Sequence, residues 1–309
     1  MDLSPPRTRS RSRVLVDSIA DEAVHVDVQA VQGTASQLSK LSLRRDDSAS
    51  EHTKDHSLHV APLPEKLSAK AVKLSGSQLQ VLLKKQKWLR TYSIALPDND
   101  TSLRAVVDAT LVFGQEEAGT AVCISEDGLL LTCSHCVAEN EDELDLGKLH
   151  CLLFASGQVV RAKCTAWDPK RDLAILKVFE AQAPQDKPFP FVSILSKAPK
   201  AREPLICVGH PGSDDLETSL PGVKTNYDTL YVSTGAFRGY SKDQDLQDNS
   251  EIGALKHDCW TYWGHSGAPL VMRKTRELAG LHSSWDETTG MRRGIPLEAI
   301  WAFLEEHKV

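Results

Sequence analysis

The sequence predicts a mainly β fold: two six-stranded antiparallel β-barrels with a C-terminal helix, preceded by a partly disordered N-terminal segment. Short apolar runs separated by turn residues recur at regular spacing from about residue 103, which is typical of all-β barrels and sandwiches. These runs form two series of about six, one for each barrel. The start of the chain differs, because all 18 aromatic residues lie from Trp88 onward and all seven cysteines from Cys123 onward.

The N-terminal part of the chain divides into two predicted segments. Residues 1–60 hold no aromatic residue and many Ser, Asp and Arg residues. They cannot bury enough apolar surface to offset the entropy lost on ordering, so they are predicted to be a disordered tail. Residues 61–102 are predicted to be a helical extension. Within it, Ser77 can cap a helix over 77–92 whose leucines fall near one face.

The first barrel is predicted over residues 103–185 and the second over 186–309. The runs assigned to strands of the first barrel are 105–114, 119–124, 128–133, 149–155, 157–167 and 173–179. Those assigned to the second are 203–209, 229–237, 257–263, 268–274 and 277–285. The chain then returns to a helical pattern over 296–307, where Pro296 suits the first turn of a helix.

The composition excludes several classes of protein. The chain has 36 Lys and Arg against 42 Asp and Glu, a net charge of −6, which argues against a nucleic-acid binder. No run approaches the ~18 apolar residues of a membrane span, and the first 30 residues lack the apolar core of a secretory signal. We therefore expect an intracellular protein, cytoplasmic or nuclear. The odd number of cysteines predicts free thiols and no structural disulfide.

Three polar residues stand where a predicted strand meets a loop: in chain order, His135, Asp172 and Ser266. Acyl transfer by a serine needs a base for the hydroxyl proton, a carboxylate to orient that base, and backbone N–H donors for the oxyanion. The order His, Asp, Ser is that of the double-β-barrel proteases, not of the subtilisins or α/β-hydrolases. The turn around Ser266 also departs from a hydrolase elbow, because Ala268 replaces its last glycine.

These residues lie in segments that resemble the trypsin-like serine proteases, specifically the disulfide-free HtrA (Deg) branch. "LLLTCSHCV" (129–137) resembles a strand that ends in Thr-x-x-His-x-Val. "WDPKRDLAILKV" (167–178) resembles Asp-Pro-x-x-Asp-Leu-Ala-x-Leu-Lys-Val almost residue for residue. "LKHDCWTYWGHSGAPLV" (255–271) resembles the stretch that leads to Gly-Asn-Ser-Gly-Gly-Pro-Leu. The similarity covers about 200 residues and includes no PDZ-like domain.

The resemblance implies a role for each matched position. His135 would be the general base, Asp172 its orienting carboxylate and Ser266 the nucleophile. The amides of Gly264 and Ser266 would form the oxyanion hole. The protein would then be an endopeptidase that acts on proteins or peptides through a covalent acyl-enzyme, without a cofactor. The sequence does not predict its oligomeric state, and a catalytically silent pseudoprotease that serves as a binding or signalling module remains the alternative.

The family's fold also implies where the substrate side chain would bind. Counting six residues back from the nucleophile places Trp260 at the base of the pocket for the side chain on the acyl side of the cut bond. The strand 281–285 would line this pocket with Ser283, Ser284 and Trp285. Indole walls without an anion would not offset the desolvation of a buried cation. The expected preference is for small or medium apolar side chains.

Cys133 and Cys136, on either side of His135, could also belong to a zinc site or a redox pair. A zinc site on Cys133 and Cys136 would need a second ligand pair at metal spacing, and a redox pair would need a βαβ setting. Neither is found, so we expect no metal and interpret both cysteines as small buried residues. Three further histidines are expected to be satisfied or surface side chains: His210, His257 and His282.

The predicted tail can be tested by deletion. Removing residues 1–60 should leave the melting temperature of the protein nearly unchanged, because this segment holds no aromatic and few clustered apolar residues. Thermal unfolding of the full-length and truncated chains, followed by circular dichroism, is the measurement. A drop of many degrees would show instead that the tail packs on the barrels.

Overall fold

The structure, a computed structural model, describes residues 60–92, 94, 96, 100–114, 119–182, 188–215, 218, 220 and 222–309. The predicted disordered tail lies outside these residues except for Val60. The predicted fold class is confirmed: two closed six-stranded antiparallel barrels are followed by a C-terminal helix. None of the described helices is long and apolar enough to cross a membrane.

A short strand and three helices precede the first barrel: β1 Ala61–Leu63, α1 Ala69–Val72, α2 Gly76–Thr91 and α3 Thr101–Asp108. The cap predicted at Ser77 is wrong, because Ser75 caps α2. The Ser75 hydroxyl accepts from Gln78 N at 3.2 Å, and the Gln78 side chain accepts from Ser75 N at 3.0 Å. This reciprocal pair satisfies two donors at the start of the helix.

The first barrel consists of β2 Thr110–Phe113, β3 Thr120–Cys123, β4 Leu129–Thr132, β5 Leu149–Phe154, β6 Val159–Asp168 and β7 Leu173–Gln182. The β6–β7 pairing closes it, and β1 adds to β7 in parallel. The strand predicted over 105–114 starts only at Thr110, because α3 occupies the residues before it. Asp100 caps that helix by accepting from Leu103 N at 2.8 Å. The β-branched residues of this run predicted a strand, but the cap at Asp100 favours a helix for its first residues.

The second barrel consists of β8 Pro204–Gly209, β9 Tyr231–Tyr240, β10 Leu255–His257, β11 Pro269–Met272, β12 Leu278–Trp285 and β13 Arg292–Pro296. These six strands form a closed barrel. The strand predicted over 257–263 is irregular after His257, and this loop leads to Ser266. Pro296 precedes the final helix, α4 Leu297–Glu306, as its N-cap. Two short 3₁₀ turns, Ser134–Cys136 and Glu141–Glu143, lie between β4 and β5.

Helix α2 packs on the first barrel through one face. Leu82 is fully buried and Leu89 is nearly so. Between them, the buried Gln86 amide donates to Gly157 O at 2.9 Å and to Gln182 Oε1 at 2.8 Å. The helix is therefore part of the core of this barrel, held by apolar contacts and by a satisfied buried amide.

The two barrels meet at the start of β3. The Thr120 amide donates to Ser266 O at 2.9 Å, and its hydroxyl donates to Gly264 O at 2.7 Å. The Thr132 hydroxyl in turn donates to Thr120 O at 2.7 Å. A Cβ at Gly267, whose φ is +83°, would collide with Thr120 O and the Thr132 hydroxyl. Only glycine fits this contact.

The packing of α2 predicts a contrast between two adjacent leucines. Leu82→Ala should lower the free energy of unfolding by about 2–5 kcal/mol, because it removes a fully buried side chain and leaves a cavity. Leu83→Ala is the matched control, since Leu83 is 39% exposed and should contribute far less. Urea unfolding of both variants measures the difference. Equal destabilisation would contradict the assignment of the buried face.

Candidate active site

His135 and Asp172 form a direct hydrogen-bonded pair. His135 lies in the 3₁₀ turn after β4, and Asp172 immediately precedes β7, which pairs with β4. Nδ1 of His135 is 2.8 Å from Oδ1 and 3.0 Å from Oδ2 of Asp172. Since a carboxylate only accepts, Nδ1 carries the proton and Nε2 keeps its lone pair. This is the tautomer that a general base requires.

The surroundings of Asp172 hold it in place. Its backbone is left-handed, with a φ of +55°, a conformation that Asp tolerates better than most residues. Ser134 anchors it twice, because its amide donates to Asp172 O at 3.1 Å and its hydroxyl to Oδ1 at 2.9 Å. Trp167 Nε1 donates to Ser134 O at 3.0 Å. Ser134 adjoins His135 in the chain, but no motif marks it as a positioning residue.

Ser266 lies in a tight turn before β11, between two glycines with positive φ. Gly264 has a φ of +98° and Gly267 of +83°. The Gly267 amide donates to His282 O at 2.8 Å, which ties the turn to β12. The Ser266 hydroxyl donates to Ser283 O at 3.2 Å. The nucleophile candidate is thus held on the wall formed by β12.

Two amides of this turn are available to a ligand. Within the described part of the chain, neither the Gly264 nor the Ser266 amide donates to a protein acceptor. Between them, the buried His265 side chain anchors the turn, with Nδ1 3.0 Å from Tyr262 O. A Cβ at Gly209 would overlap the His265 ring, so the glycine makes room for it. The turn presents two free donors from a fixed backbone, the arrangement that an oxyanion requires.

The structure gathers most of the predicted site residues around one cleft. His135, Asp172, Ser266, Ser283, Ser284 and Trp285 all line it. Trp260 is not among the described residues that do so. Its indole packs against the rings of Tyr231 and Tyr227, with centroids 4.6 and 5.1 Å away. The expected apolar pocket base at Trp260 is therefore not found at the cleft, where the next residue, Thr261, lies instead.

Further cleft residues were not identified from the sequence: Asn249, Ser250, Glu251, Thr261, Tyr262, Trp263, His282 and Arg292. Asn249 belongs to the loop between β9 and β10, and the buried Asn249 side chain accepts from Ala254 N at 2.8 Å. This loop carries no sequence motif, so no local signal pointed to it. Only Thr261 and His282, next to predicted pocket residues, could have been found from the sequence.

Buried histidines lie close to the turn that carries Ser266. Nε2 of His257 is 3.0 Å from Nδ1 of His282, and the His265 ring lies 6.4 Å from that of His282. Desolvation lowers the pKa of His257 to about 3 and that of His265 to about 4, and holds the pKa of His282 well below its usual value. These rings are neutral at pH 7. His210 is also buried, with Nδ1 2.5 Å from Thr229 O.

The cysteines near His135 are buried thiols. Donor atoms of Cys133, His135 and Asp172 lie within 4.8 Å of one another, a grouping that could hold a cation. However, burial raises the pKa of Cys133 well above its usual value and that of Cys136 to about 12. A neutral thiol is a poor metal ligand, and Asp172 already binds His135. All seven cysteines are free in the structure.

Comparisons with known proteins indicate the family of this chain. The family model described as "Trypsin-like peptidase domain" matches residues 119–281, more than half of the chain. Serine protease HTRA1B of Danio rerio is 30% identical over 200 residues, which cover 63% of this chain and 36% of that protein. Serine protease HTRA3 of Homo sapiens is 26% identical over 195 residues, which cover 61% and 38%. The chain thus spans little more than a third of the length of these relatives.

Solved structures are also similar. One of them is the crystal structure of the serine endoprotease from Yersinia pestis, which is 20% identical in sequence to this chain. The match has a TM-score of 0.48 and covers 69% of this chain and 67% of that one.

The neutral histidines predict that the protein loses stability in mild acid. In the unfolded chain an imidazole titrates near 6.5, whereas His265 titrates near 4 in the folded protein. As pH falls from about 6.5 to 4.5, the unfolded state alone binds the proton. The free energy of unfolding should fall by up to ~1.4 kcal/mol per pH unit for each such histidine.

Urea unfolding midpoints between pH 7.5 and 4.5 measure this loss. His150→Leu should make the dependence shallower, because burial also lowers the pKa of His150 to about 4. The exposed His307→Gln is the control and should leave the slope unchanged. A midpoint that stays constant or rises toward pH 4.5 would contradict the prediction.

Proposed function

Because the chain belongs to the family of trypsin-like peptidases, we propose that it is a serine endopeptidase with the triad His135, Asp172 and Ser266. One observation carries the proposal. The 2.8 Å contact between Nδ1 of His135 and Asp172 lies in the same cleft as the Ser266 turn, whose amides are unpaired among the described residues. Base, orienting carboxylate, nucleophile and oxyanion donors therefore meet in one place.

In the first half of the reaction, the Ser266 hydroxyl turns from Ser283 O toward Nε2 of His135. Its oxygen attacks the substrate carbonyl carbon while the proton passes to Nε2. Asp172 stabilises the imidazolium without taking its proton. The new oxyanion accepts from the Gly264 and Ser266 amides, and each such donor is worth about 2.7–4 kcal/mol in the transition state.

In the second half, the protonated His135 gives its proton to the leaving amine as the carbon–nitrogen bond breaks. An acyl-enzyme on Ser266 remains. Water then attacks the ester carbonyl, with His135 again as the base, and the acid product leaves with the serine restored. Peptides and proteins are the proposed substrates.

The second candidate function is a pseudoprotease, a catalytically silent binding or signalling module. The observation that favours it is the hydrogen bond from the Ser266 hydroxyl to Ser283 O at 3.2 Å. A hydroxyl held by a carbonyl does not donate to a base. This contact is compatible with catalysis only if rotation about the side-chain bond of Ser266 is easy.

The proposed compartment is the cell interior, cytoplasmic or nuclear. All seven cysteines are free thiols, and most lie buried on strands of the two barrels. A reducing compartment keeps such thiols free. Burial also raises the pKa of Cys123 and Cys151 to about 12, which makes them poor nucleophiles for disulfide exchange.

A fluorophosphonate probe separates the two candidate functions, because it labels only a serine with a working base and oxyanion hole. The wild-type protein should be labelled at Ser266 and should cleave peptides. Ser266→Ala should abolish labelling and reduce kcat by roughly 10⁶-fold, since triad residues act as a unit. Asp172→Asn should reduce kcat by about 10⁴-fold, because it changes the tautomer of His135.

The exposed Ser156→Ala is the control for these variants and should behave as the wild type. Intact mass after labelling and peptide cleavage followed by chromatography are the two measurements. A folded wild-type protein that is neither labelled nor active would favour the pseudoprotease. Cleavage that survives Ser266→Ala would exclude the triad.

A further inference from the structure

The wall of the cleft beside Ser266 is rich in hydrogen-bond donors. Ser283 O binds the Ser266 hydroxyl at 3.2 Å, so the end of β12 lies directly next to the nucleophile. Thr261, Ser283 and Ser284, each of which carries a hydroxyl, line the same cleft. Thr261 is only 5% exposed, so it is largely shielded from bulk water.

The hydrogen bond between His257 and His282 determines which ring nitrogen of His282 carries a proton. The two rings share one hydrogen bond, between Nε2 of His257 and Nδ1 of His282. Nδ1 of His257 is buried and has no partner among the described residues. If Nδ1 carried the proton, a buried N–H would have no acceptor. That arrangement costs more free energy than a buried nitrogen lone pair without a donor.

The tautomer of His282 follows from this choice. The proton of His257 lies on Nε2 and is donated to Nδ1 of His282. His282 then carries its own proton on Nε2. His282 lines the cleft, and its Nδ1 is already bonded to His257. The nitrogen left for a substrate is therefore an N–H donor, which suits an acceptor such as a carboxylate.

Arg292 supplies a positive charge at the same place. It begins β13 and pairs with Trp285, the last residue of β12. Its guanidinium lies over the Trp285 ring, 5.9 Å from the centroid, and donates to Gly290 O at 2.8 Å. Among the described residues it forms no ion pair. Glu251 also lines the cleft but is exposed, whereas Arg292 is half-buried.

We propose that this cleft selects an acidic side chain, glutamate or aspartate, on the acyl side of the scissile bond. The side-chain carboxylate would accept from His282, Thr261 and Arg292. Hydrogen bonds to a charged group inside a partly desolvated cleft are stronger than neutral ones, and a half-buried guanidinium favours an anion over a cation. The inference rests on the proposed endopeptidase function. It replaces the apolar preference expected from Trp260, which the structure does not bring to the cleft.

The test is a panel of five peptides that differ only at the residue before the cut bond: Glu, Asp, Gln, Leu or Lys. The wild-type protein should cleave a Glu or Asp peptide with a kcat/KM at least tenfold above those of the Leu and Lys peptides. The Gln peptide should fall between, because it offers an acceptor without a charge. Fluorophosphonate labelling of the same preparation reports separately whether the triad works.

Two variants test the named donors. Arg292→Gln should lower kcat/KM for the acidic peptide by roughly 10- to 100-fold and change that for the Gln peptide little, since one charged hydrogen bond is lost. Arg292→Lys should restore part of the preference. Arg273→Gln is the matched control. Arg273 is an exposed arginine directly after β11, and it is not among the residues that line the cleft.

The outcomes separate the two claims. Normal labelling with the Leu or Lys peptide cleaved best would overturn the acidic preference and leave the proposed function standing. So would normal labelling without cleavage of the acidic peptides. Absence of both labelling and cleavage would overturn the proposed function, and the inference with it. An acidic preference that survives Arg292→Gln unchanged would show that Arg292 does not determine it.

Discussion

The hydrogen bonds that Thr120 makes across the barrels are the constraint on which the site depends. The proposed base and carboxylate, His135 and Asp172, come from the first barrel and the proposed nucleophile, Ser266, from the second, so the proposed triad forms only if the barrels hold one relative position. Thr120 fixes that position by binding the carbonyls of Gly264 and Ser266 on either side of the turn. Gly267 permits the contact because any side chain there would collide with it.

Neighbouring hydrogen bonds orient the Gly264 and Ser266 amides. The N–H of Gly264 shares its peptide unit with Trp263 O, which accepts from Gly212 N at 2.6 Å, and the N–H of Ser266 shares its unit with His265 O, which accepts from Ala268 N at 2.7 Å. In a planar trans peptide the N–H points away from the engaged carbonyl. The carbonyls of Gly264 and Ser266 face the first barrel, and the buried His265 ring fills the space beside Gly209. The conformation of the turn is therefore set from three directions, by Thr120, by His265 and by the bond from Gly267 to β12.

Electrostatics divide the cleft into two parts. Close to the Ser266 turn, burial keeps His257, His265 and His282 neutral, so these rings add no charge. Arg292 lines the same cleft and carries a positive charge. Because the unfolded chain binds protons that these buried rings do not, the same neutrality is expected to make the fold less stable in acid.

The sequence by itself determined the fold class and led to the proposal of His135, Asp172 and Ser266 as the triad. Each lies in a short motif next to an apolar strand, and strands of alternating or continuous apolar pattern are local signals. Counting six residues back from Ser266 pointed to Trp260, which does not line the cleft in the structure, because the backbone leaves the strand after His257.

Only the tertiary structure decided which side chains form the pocket. In the irregular segment before Ser266, the direction of each side chain depends on the contacts of the loop and not on residue spacing. Trp260 therefore packs on Tyr231, and Thr261 faces the cleft. Arg292 and Asn249 reach the same cleft from other parts of the chain. Their place is set by strand pairing and barrel closure, which join residues far apart in sequence and leave no local pattern.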